Sequence, residues 1–192
     1  MVDIKHVLNW LNEFASLIEQ NKAYLSELDT PIGDGDHGNN MSRGVQAMQS
    51  QFTQASLNEV SDIFKTTAMA LMSNIGGASG PLYGSAFMEM AKAAKDSHDL
   101  PTIIQAGLNG ITKRGKAMIG EKTMVDVWQS VCDALLANQL TQQVIDNAVA
   151  STQPMLATKG RASYVGERSK GHLDPGAVSS GYLFTSMLNN IK

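Results

Sequence analysis

With 192 residues, 15 Lys and Arg against 18 Asp and Glu and a net charge of −3, the chain is long enough for one domain, residues 1–192, and short for two lobes. No basic cluster or RNA-binding signature interrupts that balance, which excludes nucleic acid as a partner. No apolar run reaches membrane-spanning length and Met1-Val2-Asp3-Ile4-Lys5-His6 carries no leader pattern, so no membrane association is expected and the cytoplasm is the expected location.

Ile4, Val7, Leu8, Leu11, Phe14, Ala15 and Ile18 recur at steps of three and four, predicting a first amphipathic helix that ends near Leu28. Asp29, Asp34 and Asp36 follow at once. Pro31, Gly33, Gly35 and Gly38 exclude a helix through this run, and the carboxylates would repel one another without a counter-charge. An oxygen-rich, sulfur-free donor set suits Mg2+ better than zinc. The EF-hand spacing counted from Asp34 fails at Gly38, Asn39 and Val45.

Asn39 or Asn40 is the expected cap of a second helix carrying Met41, Val45, Met48 and Phe52. Its free N–H groups would set an anion site beside the cation site. For His37 three roles are open: donor to a phosphate, phospho-acceptor, or solvated loop residue.

Ser61-Asp62 predicts the start of a third helix through Ile63, Phe64, Thr67, Leu71 and Ile75, stopped by Gly76-Gly77. Gly76-Gly77-Ala78-Ser79-Gly80-Pro81-Leu82-Tyr83-Gly84 is a second candidate for anion binding, because small residues let backbone amides come close. It is neither a P-loop nor a Rossmann fingerprint, and a plain turn between helices is the alternative. A fourth helix runs from Leu82 through Met88 to Ala94, and Asp99-Leu100-Pro101 starts a fifth with Ile103, Ile104, Leu108 and Ile111.

After a connector at residues 115–121, Thr123 caps a sixth helix, with Asp126 completing a capping box and Trp128 in the core. The single cysteine, Cys132, reads as a buried inert thiol in that helix. Thr141 opens a seventh helix that Pro154 should bend or restart near Met155. Residues 158–173 lose periodicity and predict a long loop of the kind that carries function. Asp174-Pro175-Gly176 starts the last helix, giving eight helices and no strand.

Gly33-Asp34-Gly35-Asp36-His37-Gly38-Asn39-Asn40-Met41, Gly76-Gly77-Ala78-Ser79-Gly80, Lys122-Thr123-Met124-Val125-Asp126, and Gly160-Arg161-Ala162-Ser163-Tyr164 with Asp174-Pro175-Gly176 together resemble the nucleotide-binding L subunit of dihydroxyacetone kinase. The resemblance runs from the first helix to the last. It implies an all-α fold, an antiparallel barrel of eight amphipathic helices with the nucleotide site at one end. It also implies that Asp29, Asp34 and Asp36 hold a pair of Mg2+ ions. His37, Gly38, Asn39, Asn40, Ala78, Ser79 and Gly80 are then expected around the phosphates and ribose, and Leu82, Thr123 and Met124 around the base. Arg161 with Asp174, Pro175 and Gly176 is expected to close over the nucleotide.

The resemblance further implies a phosphotransferase-system-dependent enzyme of glycerol metabolism, phosphoenolpyruvate-dependent glycerone kinase, in which ADP is a resident cofactor. A phosphohistidine on a phosphocarrier M subunit converts ADP to ATP in place. The phosphoryl group then passes to dihydroxyacetone on the substrate-binding K subunit, giving dihydroxyacetone phosphate. No catalytic side chain is expected here, since in-line phosphoryl transfer needs positioning and charge neutralisation above all.

Two other readings stay open: the L subunit of an ATP-dependent kinase for dihydroxyacetone or a related ketose, and a non-catalytic nucleotide-binding regulatory module. The related fatty-acid kinase domain usually reads Pro-Asp-Gly-Asp-Thr-Gly, where this chain has Gly33-Asp34-Gly35-Asp36-His37-Gly38. The oligomeric state is open, a homodimer being one option.

Overall fold

In the computed structural model, which describes residues 2–191, the first apolar stripe becomes α1 (Ile4–Asp29). Asp3 caps it, its carboxylate accepting the His6 N–H at 2.8 Å. There follow α2 (His37–Phe52), α3 (Val60–Asn74), α4 (Ser79–Asp96) and α5 (Leu100–Gly115). Then come α6 (Met124–Leu136), α7 (Gln142–Ser151), a 3-10 segment (Arg161–Ser169) and α8 (Pro175–Asn190). Asp99, Thr123, Thr141 and Asp174 cap α5, α6, α7 and α8 through their side chains, as their positions in the sequence predict. Among the described residues there is no strand, and no helix is long and apolar enough to cross a membrane.

Each helix packs on the next, and α8 returns to α1, so the apolar stripes face a common interior. That closure is specific: the Trp10 indole donates to the Leu183 carbonyl at 2.8 Å, and the Asn189 and Asn190 amides donate to the Glu13 carboxylate at 2.6 and 2.5 Å. The helices alternate in direction. The end of α1, the start of α2, the α3 to α4 junction and the starts of α6 and α8 share one end of the ring. The start of α1, the α4 to α5 junction and the ends of α6 and α8 share the other.

The interior is filled by a few large side chains. Trp10 meets Phe64 edge-on at 5.9 Å and Trp128 meets Phe184 edge-on at 4.8 Å, pairs worth about 0.5–1.5 kcal/mol each beyond their buried area. Trp128 is core, as its helical position predicts. Cys132 is buried beside it on α6, and burial pushes its thiol up to about 12, which leaves it an inert packing group.

Four local expectations are corrected. The second helix starts at His37, ahead of Asn39 and Asn40, because the Asp29 carboxylate at the end of α1 accepts the N–H groups of Asp36 and His37 at 3.0 and 3.3 Å. A cap supplied from another helix leaves no local signature. The third helix starts at Val60, since Asp62 reaches back to accept the Asn58 and Glu59 N–H groups at 3.0 and 3.1 Å.

The seventh ends at Ser151 with no restart after Pro154, the Thr152 hydroxyl donating to the Val149 carbonyl at 2.8 Å. Finally, residues 158–173 are not simply a loop, because they contain the 3-10 segment, kinked at Gly166 where φ is 56°. Only Ser169 of that segment is buried, so no apolar period marked it in the sequence.

Candidate nucleotide and metal site

The acidic loop owes its shape to α1 and α2. Asp29 keeps one carboxylate oxygen on the α2 backbone while the other lies against Gly33, where a Cβ would sit 2.0 Å from it. Gly35 takes a positive φ of 74°, which an L side chain rarely adopts. The chain thus folds back until Asp29, Asp34 and Asp36 each present an oxygen within 4.8 Å of the others. Burial raises the Asp29 carboxyl above its ordinary value, opposed by the Asp36 and His37 N–H groups and reinforced by Asp34. A clustered, oxygen-only donor set with one partly desolvated member fits a hard divalent cation that keeps some of its waters.

Two helix starts point at the same place. Neither α2 nor α4 carries a cap from its own N-cap side chain, and Gly77 turns the chain into α4 with a φ of 66°. By contrast α6 and α8, which start at the same cavity, are capped by Thr123 and Asp174. At α2 the Asp29 carboxylate takes only the Asp36 and His37 N–H groups, so the first-turn N–H groups left over there and at α4, with both positive dipole ends, lie beside the carboxylates.

His37 is buried, which removes the solvated-loop reading. Its Nε2 meets the Ser179 hydroxyl at 3.0 Å and its Nδ1 meets the Ser79 hydroxyl at 3.3 Å. The Ser179 hydroxyl also meets the Gly176 carbonyl, which can only accept, and the Tyr83 hydroxyl, so the ring is held in a network of hydroxyls and backbone. Burial pushes its pKa down to about 4 against the pull of Asp36, which keeps it neutral near pH 7. With both nitrogens engaged, neither the donor-to-phosphate nor the phospho-acceptor role is built into this arrangement.

A cavity of about 180 Å3 collects Asp29, Asp34, Asp36, His37, Asn40, Ala78, Ser79, Leu82, Thr123, Met124, Arg161, Asp174, Pro175 and Gly176. An apolar cleft of about 400 Å3 adjoins it, sharing Ala78, Leu82, Thr123 and Met124 and extending to Pro81, Ile111 and Val125. Arg161 reaches across from the 3-10 segment to Asp34 at 2.7 Å. Asp174 sits at the start of α8, accepting the Ala177 N–H at 2.7 Å. Burial raises its carboxyl to about 7, with Lys122 and that N–H acting against the shift.

Three expected residues do not line the cavity. Gly38 lies against α1, where a Cβ would meet the Lys22 carbonyl oxygen at 1.8 Å, and Gly80 lies against the Ile75 carbonyl at 2.2 Å. Both are close-packing positions. The Asn39 side chain is exposed on α2.

Lys122 was given no role from the sequence, yet it lines the cavity and its ammonium donates to the carbonyls of Thr152 at 2.6 Å and of His172. Its positive φ of 60° at the turn into α6 is not readable from a lysine. Ser179 was missed because nothing local marks it, while Tyr83 and Lys159 fall inside stretches singled out in the sequence without a role of their own.

The chain matches the DAK2 domain family over residues 31–189. It is 52% identical over 185 residues to the PEP-dependent dihydroxyacetone kinase 1, ADP-binding subunit DhaL, of Listeria innocua, covering 94% of this chain and 93% of that one. It is also 52% identical over 188 residues to the PTS-dependent dihydroxyacetone kinase, ADP-binding subunit DhaL, of Lactococcus lactis, covering 98% of each. Among solved structures it resembles the dihydroxyacetone kinase from C. freundii in complex with AMP-PNP and Mg2+, with a TM-score of 0.77 at 22% identity. That match covers 94% of this chain and 33% of the larger one, and it speaks for the fold alone.

Proposed function

From the premise that this chain belongs to the DAK2 domain family, we propose that it is the ADP-binding subunit of a phosphoenolpyruvate-dependent dihydroxyacetone kinase. One observation carries the reading: three carboxylates and the starts of α2 and α4, neither capped by its own N-cap side chain, converge on a cavity that opens onto an apolar cleft. Acidic oxygens for cations, backbone N–H groups for anions and an apolar slot for a base are the separate needs of a metal nucleoside diphosphate.

Asp29, Asp34 and Asp36 hold Mg2+, and Ala78, Ser79 and Asn40 face the phosphates from α2 and the α4 start. Gly38, Asn39 and Gly80 act through backbone at the first turns of α2 and α4. Leu82, Thr123 and Met124 lie on the base side, supported by their place in the apolar cleft. When bound, Mg2+ supplies charge neutralisation for the oxygens of the transferring phosphoryl group. The protein's own part is to orient and to exclude water: His37 is locked neutral between serines, and Arg161 spans the mouth to Asp34.

Other subunits complete the enzyme. A substrate-binding K subunit presents dihydroxyacetone and a phosphohistidine M subunit recharges ADP, so dihydroxyacetone phosphate forms without a catalytic side chain from this chain. The cytoplasm is the proposed location, in keeping with a lone buried thiol.

The test is retention of nucleotide. Mass spectrometry of denatured, desalted protein should find stoichiometric ADP that a chelator releases, and Asp34→Asn should lose it with helicity unchanged. ADP that stays bound in Asp34→Asn would remove the metal role, and a wild-type protein that never holds nucleotide would overturn the reading.

A further inference from the structure

Arg43 lies on the exposed side of α2, about two turns beyond the acidic loop, and forms no ion pair with any carboxylate among the described residues. Its guanidinium instead reaches back toward the start of the helix, the direction in which helical side chains lean, and donates through Nη2 to the side-chain oxygen of Asn40. Asn40 is 5% exposed and lines the cavity. Its amide stands against Gly76, where a Cβ would come within 3.0 Å of Oδ1 and 3.2 Å of Nδ2, so the bare glycine backbone is what admits it.

An Asn amide has two orientations of nearly equal shape, one turning its oxygen and the other its NH2 toward a given neighbour. A guanidinium has donors only, so contact with Arg43 selects the orientation in which Oδ1 faces the arginine. Nδ2 is then the free end, and it donates to no protein group among the described residues. A donor without a protein partner, on a side chain that is nearly buried and lines the cavity beside the starts of α2 and α4, is placed to meet an anion.

Resting on the nucleotide-binding reading above, we propose that Arg43 is a positioning residue for the phosphate side of the site. It holds the Asn40 amide so that Nδ2 donates to a phosphate oxygen.

A double-mutant cycle on Mg·ADP binding, followed by calorimetry on protein stripped of nucleotide, tests this. Arg43→Ala and Asn40→Ala should each weaken binding about tenfold, the loss expected for one hydrogen bond to a charged group. The double variant should bind no worse than about the weaker single one, because the arginine acts through the amide. Arg43→Lys, which keeps a donor for Oδ1, should recover most of the affinity. The nucleotide-free melting temperature of Arg43→Ala should stay close to wild type.

Losses that multiply to about a hundredfold in the double variant would overturn the proposal, as would Arg43→Ala within twofold of wild type. In those cases wild-type protein still binds Mg·ADP and the functional reading stands. Wild-type protein that binds none overturns both.

Discussion

The Lys122 ammonium is almost wholly withdrawn from water, at 1% exposure, and donates to the Thr152 and His172 carbonyls with a longer contact to Gln153 at 3.4 Å. Burial pulls its pKa below the ordinary lysine value, opposed by Asp174 and Asp126. Peptide oxygens replace the water that the ammonium loses on burial. One side chain thereby ties the residues just after α7 and just before α8 to the base side of the cavity. Lys122→Met keeps the length of the stem but leaves those carbonyls unpaired, and should cost about 1–3 kcal/mol. Urea unfolding of nucleotide-free protein should show the loss as a lower midpoint, and an unchanged midpoint would mean that water replaces the ammonium.

Between elements, the acidic loop works because α1 and α2 approach at backbone distance. Gly38→Ala would drive a methyl group into the Lys22 carbonyl, a contact of 1.8 Å with an atom that cannot rotate away. Forced separation of the helices should cost about 1–3 kcal/mol and disturb Asp29, which caps α2 from the end of α1. A lower melting temperature together with weaker Mg2+ binding is the expected pair of results.

The 3-10 segment is held differently. Its base is stapled by the Ala157 N–H to the Ser169 hydroxyl at 2.9 Å and by the Gly171 N–H to the Gln153 carbonyl at 2.8 Å. Its leading end has the Arg161 to Asp34 pair. That pair is exposed and worth no more than about 1 kcal/mol to stability. Arg161→Ala should therefore leave the melting temperature nearly unchanged while speeding ADP release severalfold in a chase experiment.

Across the whole molecule, the site joins the end of α1, the start of α2, the α3 to α4 junction and the starts of α6 and α8, so a ligand there resists separation of these helices. Mg·ADP at a hundred times its dissociation constant should add about 2.7 kcal/mol to unfolding, and a chelator should abolish that gain. A melting temperature indifferent to both would place the nucleotide elsewhere.

The sequence by itself determined the helices and the chemistry of the loops between them. Heptad-like apolar spacing and local caps are written within a few residues, as at Thr123 with Asp126 or Asp174 with Pro175. The run of aspartates likewise shows in the sequence the three carboxylates that the fold brings within 4.8 Å of one another. Only the tertiary structure decided what depends on residues distant along the chain: the cap that Asp29 lends to α2, the serines and Tyr83 that lock His37, and the carbonyls that swallow Lys122. The reason is that a hydrogen-bond partner for a buried polar group is fixed by which helices the closed ring sets side by side, and no local pattern records that choice.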